Sequence, residues 1–141
     1  MIVDELNIEP LENSLKTLKD GFLSYKKQLN NNDKEMVDIT IDMCIQRFEY
    51  TLETAIKFMK KLLIKEYNIK DSGELTMTNT FRFMQDYGFL KDWNSWNNYY
   101  KSRNRSVHEY SFEKSRDVFK LIPDFINDVE FLINKLKEKL K

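Results

Sequence analysis

The stretch IQRFEYTLETAIKFMKKLL, residues 45–63, decides the fold of this chain. Its apolar residues return every three or four positions, a spacing that places them on one face of an α-helix. The same stripe extends back to Met36, just after the polar run NNND at 30–33, and continues to the break signal Asp-Ser-Gly at 71–73. The sequence therefore predicts one long amphipathic helix between these two breaks. Its apolar stripe consists of Met36, Ile41, Ile45, Phe48, Leu52, Ile56, Met59 and Leu63.

Shorter helices are predicted on both sides of this long one. Pro10 suits a first helical turn, and apolar residues then recur at helical spacing to Tyr25. A short third helix begins near Thr76 or Thr78 and stops at Gly88, because glycine readily ends helices.

Two more helices complete the prediction. The fourth starts at Asp92 or Asn94, and the last runs from Phe112 to Leu140 with a kink at Pro123. Short connections between long helices favour an all-α, up-and-down four-helix bundle with one additional short helix, five helices in all. We expect residues 1–141 to form a single domain.

Composition limits the classes of function. The 23 basic and 23 acidic residues of the 141-residue chain balance, so contact with nucleic acid would need a local basic patch. The single cysteine, Cys44, excludes an intrachain disulfide and a thiolate metal site, and we expect it to be buried. No secretory signal and no apolar run of about 20 residues is present, which predicts a cytoplasmic protein with no membrane contact. No metal or cofactor motif appears, so we predict neither.

The segment RNRSVHEY, residues 103–110, concentrates the residues that could carry chemistry. It contains His108, the only histidine of the chain. An imidazole can move a proton near neutral pH, while a guanidinium group stabilises charge on phosphate oxygens. Arg103 beside His108 therefore fits phosphodiester chemistry.

The spacing within this segment sets a geometric condition. Asn104 and His108 are four residues apart and share a helix face. Arg103 and His108 are five apart and diverge by about 140° on a continuous helix. They converge only if the helix ends or bends near Ser106, or if the long arginine side chain folds back toward His108. Ser111 is a suitable N-cap for the last helix, which favours a break between His108 and Ser111. A two-fold dimer would also supply the second proton-transfer group that one histidine lacks.

Two other clusters have simpler interpretations. The aromatic residues around the fourth helix could stack on bases, but their helical spacing favours a place in the core or a dimer interface. The lysines of the long helix could bind phosphate, but a solvated helix face explains them more simply. The aromatic cluster consists of Trp93, Trp96, Tyr99 and Tyr100, and the basic cluster of Lys57, Lys60, Lys61 and Lys65.

The segment RNRSVHEY resembles the R-x(4–6)-H signature of the HEPN superfamily. Its ending, His-Glu-Tyr at 108–110, resembles HEPN toxins that pair with minimal nucleotidyltransferases, a group also known as nucleotidyltransferase substrate-binding proteins. The likeness extends over residues 45–63 and 81–110, in the order and spacing of the family's second, third and fourth helices. The segment 70–78 departs from the pattern, because it lacks the expected proline.

This resemblance implies a HEPN-like bundle that forms a homodimer and cleaves RNA without metal. Arg103 and His108 would be the catalytic pair and Asn104 a supporting residue. Tyr110 would accept AMP from an adjacently encoded minimal nucleotidyltransferase, which silences the toxin. The alternative is a non-catalytic substrate-binding subunit of a two-component nucleotidyltransferase, and a helical scaffold without chemistry is a third possibility.

Overall fold

A computed structural model describes residues 6–70, 75–108 and 112–139 of the chain. These residues form helices without any strand, which confirms the predicted all-α class. The described part contains six helices where five are predicted. They are α1 (Glu9–Asn30), α2 (Lys34–Tyr67), α3 (Met77–Asp86), α4 (Trp93–His108), α5 (Phe112–Lys120) and α6 (Ile122–Lys139).

The sixth helix arises because the last predicted helix divides in two. Pro123 has no N–H group and cannot continue the hydrogen-bond ladder of a helix. The chain closes α5 with a tight bond from the Leu121 N–H to the Val118 carbonyl, at 3.0 Å. It then opens α6 with a bond from the Phe125 N–H to the Leu121 carbonyl, at 2.9 Å. The predicted kink at Pro123 is therefore a complete break.

Side-chain caps fix several helix boundaries. Asp33 caps α2 and Thr76 caps α3, each accepting a hydrogen bond from a backbone N–H in the first turn. The long helix α2 ends at Tyr67, earlier than predicted, because Asn68 adopts a left-handed conformation with φ of 55°. The predicted stop signal at 71–73 lies outside the described residues.

The core brings aromatic rings from α2, α4 and α6 together. The Phe125 ring centroid lies 4.7 Å from that of Phe48, 5.8 Å from that of Trp96 and 5.1 Å from that of Tyr99. Trp96 and Tyr99 are buried, which confirms a core position for two of the four clustered aromatic residues. The Tyr99 hydroxyl donates to Asp128 at 2.5 Å. Burial and this hydrogen bond hold the pKa of Tyr99 far above its ordinary value, so the hydroxyl remains a donor.

Cys44 is fully buried in α2, as predicted. Burial raises the pKa of its thiol from 9.0 to about 11. The group therefore remains protonated near neutral pH, when it is a weak nucleophile. In the described part of the chain, each helix is too short or too polar to cross a bilayer.

Candidate functional site

Helix α4 carries most of the candidate motif. The sequence WNSWNNYYKSRNRSVH contains neither glycine nor proline, so nothing in it forces a helix to stop. The helix continues through Ser106 to His108, so the condition for convergence of Arg103 and His108, a helix end or bend near Ser106, is not met. Because the helix is continuous, positions 103 and 108 are separated by about 140° around its axis.

Arg103 is held by a partner on another helix. Its Nη2 forms an ion pair with a carboxylate oxygen of Glu53, near the middle of α2. Its Nη1 donates to the Asn104 side-chain oxygen at 3.3 Å. These two contacts orient the guanidinium, and the Arg103 side chain as a whole is 29% exposed. Arg103, predicted for catalysis, and Asn104, predicted for support, are therefore in direct contact.

A second ion pair joins the region after the motif to the same helix. Arg116 on α5 pairs with Asp38 near the start of α2, and its side chain is 24% exposed. Asp38 and Glu53 are fifteen residues apart, which corresponds to about 22 Å along a helix axis. Helix α2 therefore anchors the chain on both sides of the segment 104–115.

Sequence reasoning missed both carboxylates. Glu53 is fifty positions from Arg103, and no local spacing relates the two residues. The available signal is a set of acidic residues along α2, spaced four or seven residues apart, which places them on one side of a helix. This set consists of Asp38, Asp42, Glu49 and Glu53.

The remaining predicted site residues are described only in part. His108 is the last residue of α4. Tyr110, the predicted AMP acceptor, and Ser111, the predicted N-cap, lie outside the described residues. The roles of Arg103, Asn104, His108 and Tyr110 therefore stay predictions. Among the residues that the structure describes, no group of three histidine, cysteine or acidic side chains could hold a metal ion.

Comparisons with known proteins place the chain in a family. The family described as nucleotidyltransferase substrate binding protein like matches residues 6–138. The chain belongs to this family. The sequence resemblance to HEPN toxins and nucleotidyltransferase substrate-binding proteins is thereby confirmed at the level of the family.

Individual relatives agree with this membership. The chain is 28% identical to the probable ribonuclease HepT of Haemophilus influenzae strain Rd, over 99% of this chain and 97% of that protein. Its fold matches the substrate-binding domain of a nucleotidyltransferase from Haemophilus influenzae with a TM-score of 0.80 and 27% identity, covering 94% and 98% of the two chains. A crystal structure from Thermus thermophilus matches with a TM-score of 0.72 and 26% identity, covering 89% and 98%.

Proposed function

We propose that this protein is the toxin of a toxin–antitoxin pair, a HEPN-type endoribonuclease that needs no metal. The adjacently encoded partner would be a minimal nucleotidyltransferase that silences it. The observation that carries this proposal is the likeness to the probable ribonuclease HepT, which extends over 99% of the chain. The oriented and partly exposed side chain of Arg103 adds chemical support.

In the proposed reaction, the 2′-hydroxyl of RNA attacks the adjacent phosphorus, and the bond to the 5′-oxygen breaks. One group removes the proton of the 2′-hydroxyl, and another returns a proton to the leaving oxygen. The products are a 2′,3′-cyclic phosphate and a 5′-hydroxyl end. His108 would fill one of the proton-transfer roles, while the Arg103 fork would bind the phosphate oxygens as charge builds on them.

A second copy of the chain is the natural source of the other proton-transfer group. The chain has one histidine, and positions 103 and 108 lie on different sides of the continuous helix α4. A two-fold dimer would bring two histidines and two arginines to one cleft. Several large apolar side chains at the α1–α2 end are available to such an interface, since Leu23 is 62%, Leu29 50% and Ile39 50% exposed.

The first prediction concerns His108. The protein expressed without its partner should arrest growth, and the purified protein should cleave RNA. His108→Ala should lower the cleavage rate by about 10²–10⁴-fold and relieve the arrest, because a proton-transfer group is lost. Growth curves and gel analysis of RNA digests measure the two effects.

Lys101→Ala serves as the matched control, because Lys101 is an exposed residue of the same helix. It should remain toxic at equal protein abundance. Failure of the wild-type protein to cleave RNA and to arrest growth would contradict the ribonuclease proposal. A His108→Ala variant that stays fully toxic would contradict the role of His108.

The second prediction concerns the proposed switch at Tyr110. The partner would transfer AMP from ATP to the tyrosine oxygen, which loses its proton while pyrophosphate leaves. The added phosphate would place negative charge two residues from His108 and compete with RNA for the basic groups. Intact mass spectrometry of the protein co-expressed with its partner should show the added mass of AMP.

Tyr110→Phe should abolish this mass shift and leave RNA cleavage active in the presence of the partner. Tyr100→Phe, ten residues away on α4, provides a tyrosine control that should still be modified. An unchanged mass shift in Tyr110→Phe would assign the modification to another residue.

The alternative function is a non-catalytic substrate-binding subunit, which the fold match to the substrate-binding domain of a nucleotidyltransferase favours. It predicts a stable complex with the neighbouring gene product and no RNA cleavage by the purified protein. The two functions therefore differ in one measurement, the digestion of RNA by the protein alone.

A further inference from the structure

A groove of about 370 Å³ lies beside the Arg103–Glu53 ion pair, between the start of α1 and the middle of α2. Glu53 lines one part of it, and Lys57 and Lys61 line the part that follows along α2. These three residues are spaced four apart, so they follow one face of the helix over about 12 Å. The groove therefore includes the residue that pairs with Arg103.

The charge of the groove favours an anion. Lys57 and Lys61 are exposed and carry two positive charges. The carboxylate of Glu53 is engaged by Arg103, so its negative charge is offset at that end. Lys60 and Lys65, the other members of the predicted basic cluster, do not line the groove. Two of the four lysines in the predicted basic cluster therefore line the same groove.

The groove also offers a surface for a flat apolar group. Tyr50 lines it, and this residue is 59% exposed although its ring is large and mostly apolar. The lining of the groove also includes three buried apolar side chains, those of Leu6, Leu11 and Phe58. An exposed aromatic ring and two cations that line the same groove are a combination that binds single-stranded nucleic acid, since bases stack on the ring and phosphates meet the cations.

We propose that this groove binds the strand of single-stranded RNA that flanks the cleaved phosphate, with phosphates at Lys57 and Lys61 and a base against Tyr50. This inference rests on the proposed ribonuclease function, because it places the groove next to the phosphate held by Arg103. It explains how a chain with no net charge can bind RNA, since the binding needs a local patch only.

The test measures binding separately from cleavage. A short fluorescein-labelled single-stranded RNA of mixed sequence is titrated with the full-length His108→Ala protein, and its anisotropy gives Kd at several salt concentrations between about 50 and 200 mM. Adding Lys57→Gln and Lys61→Gln should weaken binding by about 10–30-fold near 0.1 M salt. The slope of log K against log salt should become shallower by about 1.4, because two phosphate contacts are lost.

Two further variants keep the test specific. Lys16→Gln with Lys27→Gln removes the same charge from exposed positions of α1 outside the groove, and this control should keep the original salt slope. Tyr50→Ala should weaken binding by at least about fivefold, whereas Tyr50→Phe should preserve it. Circular dichroism checks that each variant is folded.

The outcomes separate this inference from the function it rests on. If Lys57→Gln with Lys61→Gln gives the same Kd for RNA as the control Lys16→Gln with Lys27→Gln, the groove inference is wrong. The ribonuclease proposal still stands in that case if His108 is essential for cleavage. If binding depends on Lys57 and Lys61 but the wild-type protein cleaves no RNA, RNA binding by the groove stands, while the ribonuclease proposal and the position next to a cleaved phosphate fail. If the variants lose the nucleotidyltransferase partner and keep RNA, the groove is a protein-binding surface and the inference is overturned.

Discussion

Phe125→Ala is expected to lower the free energy of unfolding by about 3–5 kcal/mol, the range for removing a buried phenylalanine ring. The Phe125 side chain is fully buried. Its ring contacts Phe48 of α2 and both Trp96 and Tyr99 of α4. Removing the ring therefore leaves a cavity at the point where three helices meet, and the surrounding rings cannot close it without moving the helices.

Phe131→Ala on the same helix is the matched control. Phe131 is half-buried and contacts the ammonium groups of Lys91 and Lys135, which lie 5.2 and 5.5 Å from its ring centroid. Its loss should cost about 1 kcal/mol, because the ring already borders solvent in part and no closed cavity forms. Urea denaturation followed by circular dichroism measures both variants. Equal losses in the two variants would contradict the central place of Phe125 in the core.

The elements of this core can be predicted from the sequence because helix periodicity is a local signal. The apolar stripe around residues 45–63 and the helix start predicted near Thr76 or Thr78 depend on neighbours within a few positions. The structure contains both, with the helix start capped by Thr76. The early end of α2 is harder to predict, because Asn68 is a weaker signal than the later Asp-Ser-Gly run at 71–73. The break at Leu121 could not be distinguished from a kink by the sequence alone. A proline in the first turn of a new helix and a proline inside one kinked helix are surrounded by the same apolar spacing.

The position of the candidate site can be predicted from the sequence, but the contacts between helices that form it cannot. The composition of residues 103–110 indicates where the chemistry lies, because two of the five arginines and the only histidine of the chain fall in these eight residues. The contact between Arg103 and Glu53 joins residues fifty positions apart, and such contacts depend on how α4 packs against α2. The selection of Lys57 and Lys61 from four similar lysines depends on how α1 packs against α2.

Arg103→Ala is expected to lower the rate of RNA cleavage by about 10²–10³-fold, as for removal of a group that stabilises charge in the transition state. The reason is the oriented guanidinium, which contacts Asn104 and Glu53, a residue that lines the proposed RNA groove. Arg103→Lys should recover only part of the rate, because an ammonium group cannot replace the paired, coplanar N–H donors of a guanidinium group. Measurement of kcat and KM with the labelled RNA should place the loss mainly in kcat.

Arg116→Ala is the control that distinguishes chemistry from anchoring. Arg116 also pairs with a carboxylate of α2, Asp38, and its exposure of 24% is close to the 29% of Arg103. Each substitution removes a partly exposed ion pair with α2, and such a pair stabilises a protein by about 1 kcal/mol or less. If Arg103 acts on the phosphate, Arg116→Ala should keep cleavage within about tenfold of the wild type. Equal losses in both variants would show that the arginines only fasten the motif to α2, and Glu53→Gln would then be as damaging as Arg103→Ala.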